Sequence, residues 1–188
     1  VIGKAKGAAL VSSCFLMFPP QSQAMVYSDC GLVIDPDAHE LAEIAAMAAQ
    51  TLKKVTLELG GKSPIVIFDD CDFESAVNAA LAGNFYSTGQ VCSNGTRVFV
   101  HEAIFDSFVD EAVRRSCAIV VGDPFDPATQ MGPLVSALQR DKVIDYLRQV
   151  KTSSEVELLC GGTTDAMTGG YFVSPAVVVA HSDDHPVV

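Results

Sequence analysis

The fold is decided by residues 55–68, VTLELGGKSPIVIF, in which two apolar runs flank a pair of glycines. Residues 55–59 are rich in strand-forming side chains and end at Gly60-Gly61, which predicts a short strand followed by a bend. Residues 64–68 are continuously apolar, as is typical of a strand that is buried on both faces of a parallel sheet. The stretch therefore predicts two strands separated by a glycine bend.

Outward from this stretch, helix and strand patterns alternate along the chain. Apolar residues at spacings of three and four predict helices over 38–54, about 72–85, 104–117 and 136–151. Further strand patterns fall at 96–100, 156–159 and 176–179. Strands that alternate with helices predict an α/β fold class built on a parallel sheet.

Residues 1–40 form a leader that these patterns leave unassigned. Lys4 and Lys6 precede an apolar run from Ala8 to Phe18, and Pro19 begins a stretch of proline and small polar residues. A basic start, a short apolar core and small residues have the shape of a signal peptide. The run is too short to cross a bilayer as a helix. We favour a buried or disordered segment over a signal.

Composition limits the class of protein and its partners. The 188 residues are 49% hydrophobic and 19% charged, which is typical of a globular domain with a core of its own. A net charge of −11 disfavours nucleic acid and an anionic membrane surface as partners.

The six cysteines are scattered, and no two of them form a C-x-x-C pair. This spacing disfavours a zinc site or a redox motif, and the four histidines do not cluster at metal-ligand spacing either, so no metal site is predicted. A chain of this length does not need a disulfide framework. We therefore expect mostly reduced thiols and a cytoplasmic location.

Two residues stand out as candidates for chemistry. Glu58 offers a carboxylate just before a glycine bend, and Cys92 offers a thiol in the loop that Gly89-Gln90 introduces. An acid or base beside a sulfur nucleophile is the minimum set for covalent catalysis by a thiol. A phosphate-binding loop is excluded at Gly60–Ser63, because its first glycine would have to be Thr56 and Pro64 leads into a strand pattern.

Each candidate also has a structural interpretation. A carboxylate at a strand end can simply face solvent, and free cysteine is among the most buried residue types. Against burial of Cys92, polar residues Ser93-Asn94-Gly95-Thr96 follow it, and loops of this kind gather functional residues. Asn94-Gly95-Thr96 also fits the N-glycosylation pattern, and a glycan there would exclude catalysis by the neighbouring thiol.

Two longer segments resemble signatures of one enzyme family. Residues 55–64, VTLELGGKSP, look like the glutamate signature of the aldehyde dehydrogenase superfamily, and residues 85–97, FYSTGQVCSNGTR, look like its cysteine signature. The separation of 34 residues between Glu58 and Cys92 agrees with that family. Further landmarks follow in the family's order at 122–124, 131–134 and 170–175. The cysteine signature most resembles the betaine aldehyde and 4-trimethylaminobutyraldehyde dehydrogenase branch.

The resemblance implies NAD(P)-dependent oxidation of an aldehyde to a carboxylic acid. Cys92 would attack the aldehyde carbon, and its backbone N–H together with a side-chain amide would hold the oxyanion. Hydride transfer to the nicotinamide would leave a thioester, which Glu58 would hydrolyse as the general base for water. Leu59 and Gly60 would lie near the nicotinamide.

The resemblance covers about residues 45–188, so residues 41–188 are expected to form an incomplete catalytic domain of that family. The dinucleotide-binding domain that precedes the glutamate signature in relatives, and their oligomerisation strand, have no counterpart in this sequence. The family is homo-oligomeric and acts on small aldehydes. Two alternatives stay open: a catalytically inactive fragment or interaction module that kept the α/β core, and a thiol esterase that uses Cys92 and Glu58 without NAD.

Overall fold

The computed structural model describes residues 5–11, 25–28, 31–33, 38–58, 62–164, 169–181 and 187. Its strands are β1 (Ala5–Val11), β2 (Met25–Ser28), β3 (Gly31–Val33), β4 (Thr56–Glu58), β5 (Pro64–Ile67), β6 (Arg97–His101), β7 (Val156–Cys160) and β8 (Ala176–Ala180). Its helices are α1 (Ala38–Ala49), α2 (Phe73–Phe85), α3 (Phe105–Cys117) and α4 (Ala137–Thr152), with short 3-10 turns at Tyr86–Gly89 and Glu102–Ile104. The chain divides into two compact units, a first of residues 1–16 and 62–188 and a second of residues 17–61.

The first unit is built on a five-stranded sheet in the order β5-β6-β1-β8-β7. β5 and β6 are parallel, as the helical crossover α2 between them requires. β1 lies antiparallel to both β6 and β8, and β8 is antiparallel to β7. The α/β class is therefore confirmed, with the predicted parallel pairing at β5 and β6 inside a mixed sheet.

The helices of the first unit begin where the sequence supplies a cap. The Asp72 carboxylate accepts a hydrogen bond of 2.8 Å from the Ser75 backbone N–H at the start of α2. Ser136 does the same for the Gln139 N–H at the start of α4, at 3.2 Å. Such caps satisfy backbone donors that have no partner within the helix and stabilise it by about 1 kcal/mol each.

The helices cover both faces of the sheet. Val77 on α2 and Phe108 on α3 share one buried cluster with Val98 of β6, whereas Val143 and Leu147 of α4 belong to a second cluster. Strand β8 supplies side chains to both clusters in alternation: Val177 and Val179 to the first, Ala176 and Val178 to the second. Because successive strand side chains point to opposite faces, α2 and α3 cover one face and α4 the other.

The second unit contains helix α1 and a three-stranded antiparallel sheet in the order β3-β2-β4. Strand β4 pairs with β2 so that Glu58 lies opposite Met25 and Thr56 opposite Tyr27. The sequence patterns predicted β4 but neither β2 nor β3.

Helix α1 starts as predicted but ends at Ala49 rather than near Lys54. Leu52 adopts the left-handed conformation at φ 55°, and the Lys53 N–H donates to the Ala48 carbonyl at 3.0 Å. The Leu52 N–H donates to the Ala49 carbonyl at 3.2 Å, which completes a Schellman motif. The predicted helix end was wrong because this motif usually takes glycine at the left-handed position, and here it takes leucine.

The leader of residues 1–40 contributes to both units. Ala5–Val11, at the start of the predicted apolar run, forms the middle strand of the first sheet, and β2 and β3 belong to the second. The remainder of the run, residues 12–18, lies outside the described residues. The domain boundary at residue 40 stays a prediction.

Candidate active site

A left-handed turn connects helix α2 to the candidate nucleophile. Ser87, Thr88 and Gly89 have φ values of 53°, 58° and 73°, in a region that side chains other than glycine rarely adopt. The Gln90 N–H donates to the Ser87 carbonyl at 3.1 Å, and the Thr88 hydroxyl donates to the Gly132 carbonyl at 3.4 Å. Residues held in such conformations cluster at functional sites, so this turn supports a functional assignment for the loop.

Cys92 lies in the β-turn that follows. The Asn94 N–H donates to the Val91 carbonyl at 3.1 Å, which places Cys92 and Ser93 at the two central positions of the turn. The Cys92 side chain is exposed, and its carbonyl accepts a bond of 3.4 Å from the Ser63 hydroxyl. Within the described part of the chain, its backbone N–H makes no hydrogen bond. The turn thus presents the Cys92 thiol to solvent.

Two buried asparagines fix this turn against helix α2. The Asn84 amide, fully buried, donates to the Ala80 and Gly95 carbonyls at 2.8 Å each. The Asn94 amide donates to the Asn84 and Tyr86 carbonyls at 3.4 Å. Burial of the Asn94 amide against the backbone leaves no room for a glycan, so the glycosylation alternative fails.

A glycine contact sets how closely the turn approaches strand β5. The Gly95 N–H donates to the Gly83 carbonyl of α2 at 2.9 Å. A Cβ atom on Gly95 would lie 2.2 Å from Ile65 Cγ1 and 2.3 Å from its Cδ1, well inside van der Waals contact. Only glycine fits where the loop passes over Ile65.

Arg97, the first residue of β6, forms two hydrogen bonds with the segment before β5. The Arg97 guanidinium donates to the Lys62 carbonyl at 3.0 Å, and the Arg97 N–H donates to the Ser63 carbonyl at 3.3 Å. Partial burial, together with the nearby charge of Arg97, lowers the pKa of Lys62 to about 8. Lys62 and Ser63 are therefore hydrogen-bonded to Arg97 of β6, and Ser63 also to Cys92.

The backbone at Val135 is also hydrogen-bonded to the loop that contains Cys92. The Gln90 side-chain oxygen accepts a bond of 3.1 Å from the Val135 N–H. Behind it lies a small cavity of about 20 Å³, lined by Phe85, Thr88 and Leu134 among others. That volume corresponds to roughly one water molecule. The cavity is far too small for a dinucleotide, so it does not fit the expected cofactor.

The other predicted site residues belong to the second unit. Glu58 is the last residue of β4, as the strand pattern at 55–59 predicted. Leu59 and Gly60, the expected nicotinamide contacts, lie outside the described residues. The roles of these three residues and of Cys92 stay predictions.

Neither a metal-binding cluster nor a membrane-spanning helix is found in the part of the chain that the structure describes. No group of three or more His, Cys, Asp or Glu side chains within the described ranges could hold a metal ion. None of the helices that the structure describes is long and apolar enough to cross a bilayer.

Sequence reasoning did not identify Asn84 and Asn94 as the residues that hold the loop. A signal for Asn84 exists, because it follows Val77 and Ala80 at helical spacing and so continues the buried stripe of α2. Asn94 has no comparable signal, since its position depends on the turn.

Comparison with known proteins gives two family matches. Residues 40–188 match the aldehyde dehydrogenase family. Residues 1–66 are similar to the phosphate acetyl/butaryl transferase family, a range that contains the whole second unit.

Curated relatives include the betaine aldehyde dehydrogenases of Brucella ovis and Brucella melitensis, each 54% identical over 143 residues. The alignment covers 74% of this chain and 29% of each relative, so the chain spans less than a third of their length.

Solved structures of aldehyde dehydrogenases are also similar to part of this chain. A Bacillus cereus aldehyde dehydrogenase (an E194S mutant) gives a TM-score of 0.73 at 40% identity, covering 80% of this chain and 30% of the other. A Staphylococcus aureus betaine aldehyde dehydrogenase in complex with NAD+ gives a TM-score of 0.68 at 36% identity. That match covers 74% of this chain and 28% of the other. With its family match over residues 40–188, the chain belongs to the aldehyde dehydrogenase family.

Proposed function

We propose that this protein oxidises an aldehyde to a carboxylic acid with NAD or NADP, using Cys92 as the nucleophile and Glu58 as the general base. The observation that carries the proposal is the placement of Cys92: an exposed thiol in a β-turn that buried asparagine amides hold rigidly. Rigid placement of a nucleophile lowers the entropy cost of reaching the transition state.

In the proposed reaction, the Cys92 thiolate attacks the aldehyde carbon and forms a thiohemiacetal. The Cys92 backbone N–H is proposed to donate to the oxyanion, and its lack of another acceptor within the described residues supports this role. A nicotinamide cofactor, when bound, would supply the hydride acceptor that this oxidation needs.

The second half of the reaction is hydrolysis of the resulting thioester. Glu58 removes a proton from water as the water attacks the acyl carbon, and Cys92 leaves as a thiolate. Glu58 ends strand β4, two residues before Gly60-Gly61 in the sequence, and this position supports the role.

The cofactor contacts are proposed to be Leu59 and Gly60. Since the cavity behind the loop is water-sized, a dinucleotide would bind elsewhere. Because the relatives are betaine aldehyde dehydrogenases, betaine aldehyde is the first substrate to test. The expected location is the cytoplasm.

The test follows NADH absorbance when the purified chain is mixed with betaine aldehyde and NAD. Wild type is expected to form NADH, and Cys92→Ala is expected to lose that activity. Cys71→Ala is the matched control, because Cys71 is a half-buried thiol on the same stretch of chain. NADH formation that survives Cys92→Ala would refute the nucleophile assignment.

A second candidate function is an interaction module that keeps the α/β core without catalysis. The small cavity behind the Cys92 loop, which is far too small for a dinucleotide, favours this candidate. Stoichiometric binding of NAD in a calorimetric titration would argue against this candidate. An esterase without NAD would instead hydrolyse an activated ester and stop when Cys92 is alkylated.

A further inference from the structure

Strand β5 forms one edge of the five-stranded sheet. It pairs in parallel with β6, and no strand lies on its other side within the described part of the chain. The Arg97 N–H of β6 donates to the Ser63 carbonyl at 3.3 Å. Because the backbone groups of successive strand residues point to alternate sides, odd-numbered residues of β5 bond to β6. Even-numbered residues therefore direct their backbone groups to the open side.

Four backbone groups lie on this open side. They are the Pro64 C=O, the Val66 N–H and C=O, and the Phe68 N–H. Pro64 has no N–H, which is why proline in a sheet is found mainly on edge strands. The Phe68 carbonyl already accepts from the Cys71 N–H at 3.3 Å. The open edge thus offers two donors and two acceptors that have no partner among the described residues.

The side chains along this edge are apolar and partly exposed. Val66 is 55% exposed and Phe68 is 51% exposed, whereas Ile67, which points to the opposite face, is buried. Natural edge strands are often protected from pairing by charged residues, above all lysine. Residues 64–68 include no charged residue. An edge of this kind is suited to pairing with another strand.

The edge is complementary to a second copy of itself in the antiparallel orientation. When Val66 lies opposite the second copy's Val66, each N–H meets the other C=O. Each Phe68 N–H then meets the Pro64 C=O of the other copy. Regular pairing would add a bond from Pro64 to Phe68, but the donor of that bond does not exist and its acceptor is in use. The four open groups of each copy are all paired in this register.

Charge favours the same orientation. Lys62 precedes β5, whereas Asp69 and Asp70 follow it. An antiparallel copy brings the basic end of one strand to the acidic end of the other, and a parallel copy would bring like charges together. We propose that two copies of this chain associate through β5, antiparallel about Val66, and join their two five-stranded sheets into one.

Sedimentation velocity of the full chain, up to its solubility limit, tests this association. Two short edges bury less than the about 1,200 Å² of a standard interface, so we expect a concentration-dependent equilibrium between monomer and dimer. Val66→Pro removes the N–H that makes two of the four bonds between the copies, and it removes none of the bonds to β6. This variant should raise the dimer dissociation constant by about tenfold or more.

Charge variants test the register. Val66→Lys and Val66→Glu each place like charges opposite each other and should weaken association when each variant is alone. An equimolar mixture of the two should associate more strongly than either, because lysine then meets glutamate. Val120→Lys is the matched control, since Val120 is 47% exposed in the segment after α3 and should leave the dissociation constant unchanged. Circular dichroism confirms folding of each variant.

Amide exchange of the wild type, followed by NMR, decides the proposal even if a variant fails to fold. The N–H groups of Val66 and Phe68 should exchange more slowly as concentration rises, and that of Ile67, bonded to β6, should change far less. A wild type that stays monomeric to its solubility limit would overturn the proposal. So would a dimer that Val66→Lys and Val120→Lys weaken equally, or a mixture no more associated than its two components.

Discussion

Two glycines on either side of Ile65 provide a test of the packing that holds the Cys92 loop. Gly95 passes over the Ile65 side chain with no room for a Cβ atom, which would lie 2.2 Å from Ile65 Cγ1. Gly83, in the last turn of α2, faces the same side chain at an ordinary distance of 3.5 Å from Ile65 Cδ1. The same substitution, glycine to alanine, should therefore have opposite effects at the two positions.

The magnitudes follow from overpacking and from helix propensity. Gly95→Ala forces Ile65 or the loop to shift, and an extra methyl in a tight core costs about 1–3 kcal/mol of unfolding free energy. Gly83→Ala adds a methyl where contact is already normal, and alanine stabilises a helix over glycine by about 0.5–1 kcal/mol.

Urea unfolding followed by circular dichroism measures both effects. Ile65→Ala removes Cγ1 and Cδ1, the two atoms that the new methyl meets, so it should relieve most of the Gly95→Ala cost in the double variant. The expected coupling is about 1–3 kcal/mol, the size found for residues in direct contact. The packing account fails if Gly95→Ala is neutral, if Gly83→Ala is the more destabilising change, or if the Ile65→Ala effect is simply additive.

Three further predictions concern other described residues. Asn84→Ala should lower the unfolding free energy by about 1–3 kcal/mol, because it leaves the buried Gly95 carbonyl without its donor; an unchanged urea midpoint would contradict this. Hydrogen bonds from Arg114 and Arg115 lower the pKa of Glu111 from 4.5 to about 2, so its contribution to stability is present above pH 4.5 and is lost as pH falls toward 2. The difference in urea midpoint between wild type and Glu111→Gln should accordingly shrink over that range, and a constant difference would refute the assignment. Lys62, in carbon-13 NMR after reductive methylation, should titrate near pH 8 rather than near 10.5, with Lys62→Arg identifying the signal.

Local patterns in the sequence predicted much of the first unit. The apolar spacings of α2, α3 and α4 were confirmed, because each helix buries one stripe in the core. Strand β5 was confirmed as a strand, but the prediction that it is buried on both faces was wrong: β5 lies at the edge of the sheet, where Ile67 is buried and Val66 is 55% exposed. The position of Cys92 outside regular structure was also readable, since Gly89 and the polar residues after it favour a turn.

Other features depend on contacts that no local pattern carries. Ser87 and Thr88 adopt left-handed conformations through bonds to their surroundings, such as that from Thr88 to Gly132, rather than through their own preferences. Strand β1 lies between β6 and β8 and pairs with residues more than 80 positions away. The composition of residues 1–40 does not indicate such pairing. Leu52 likewise takes the left-handed position at the end of α1, where a glycine would have indicated the helix end in the sequence.

The most direct test of the central claim is to trap the thioester on Cys92. Glu58→Gln removes the proposed base but leaves the nucleophile, so with aldehyde and NAD it should form a single equivalent of NADH per chain and then stop. Mass spectrometry should locate the acyl group on Cys92 within the tryptic peptide 63–97. Continued turnover in Glu58→Gln, an acyl group on another residue, or no NADH from the wild-type chain would contradict the account.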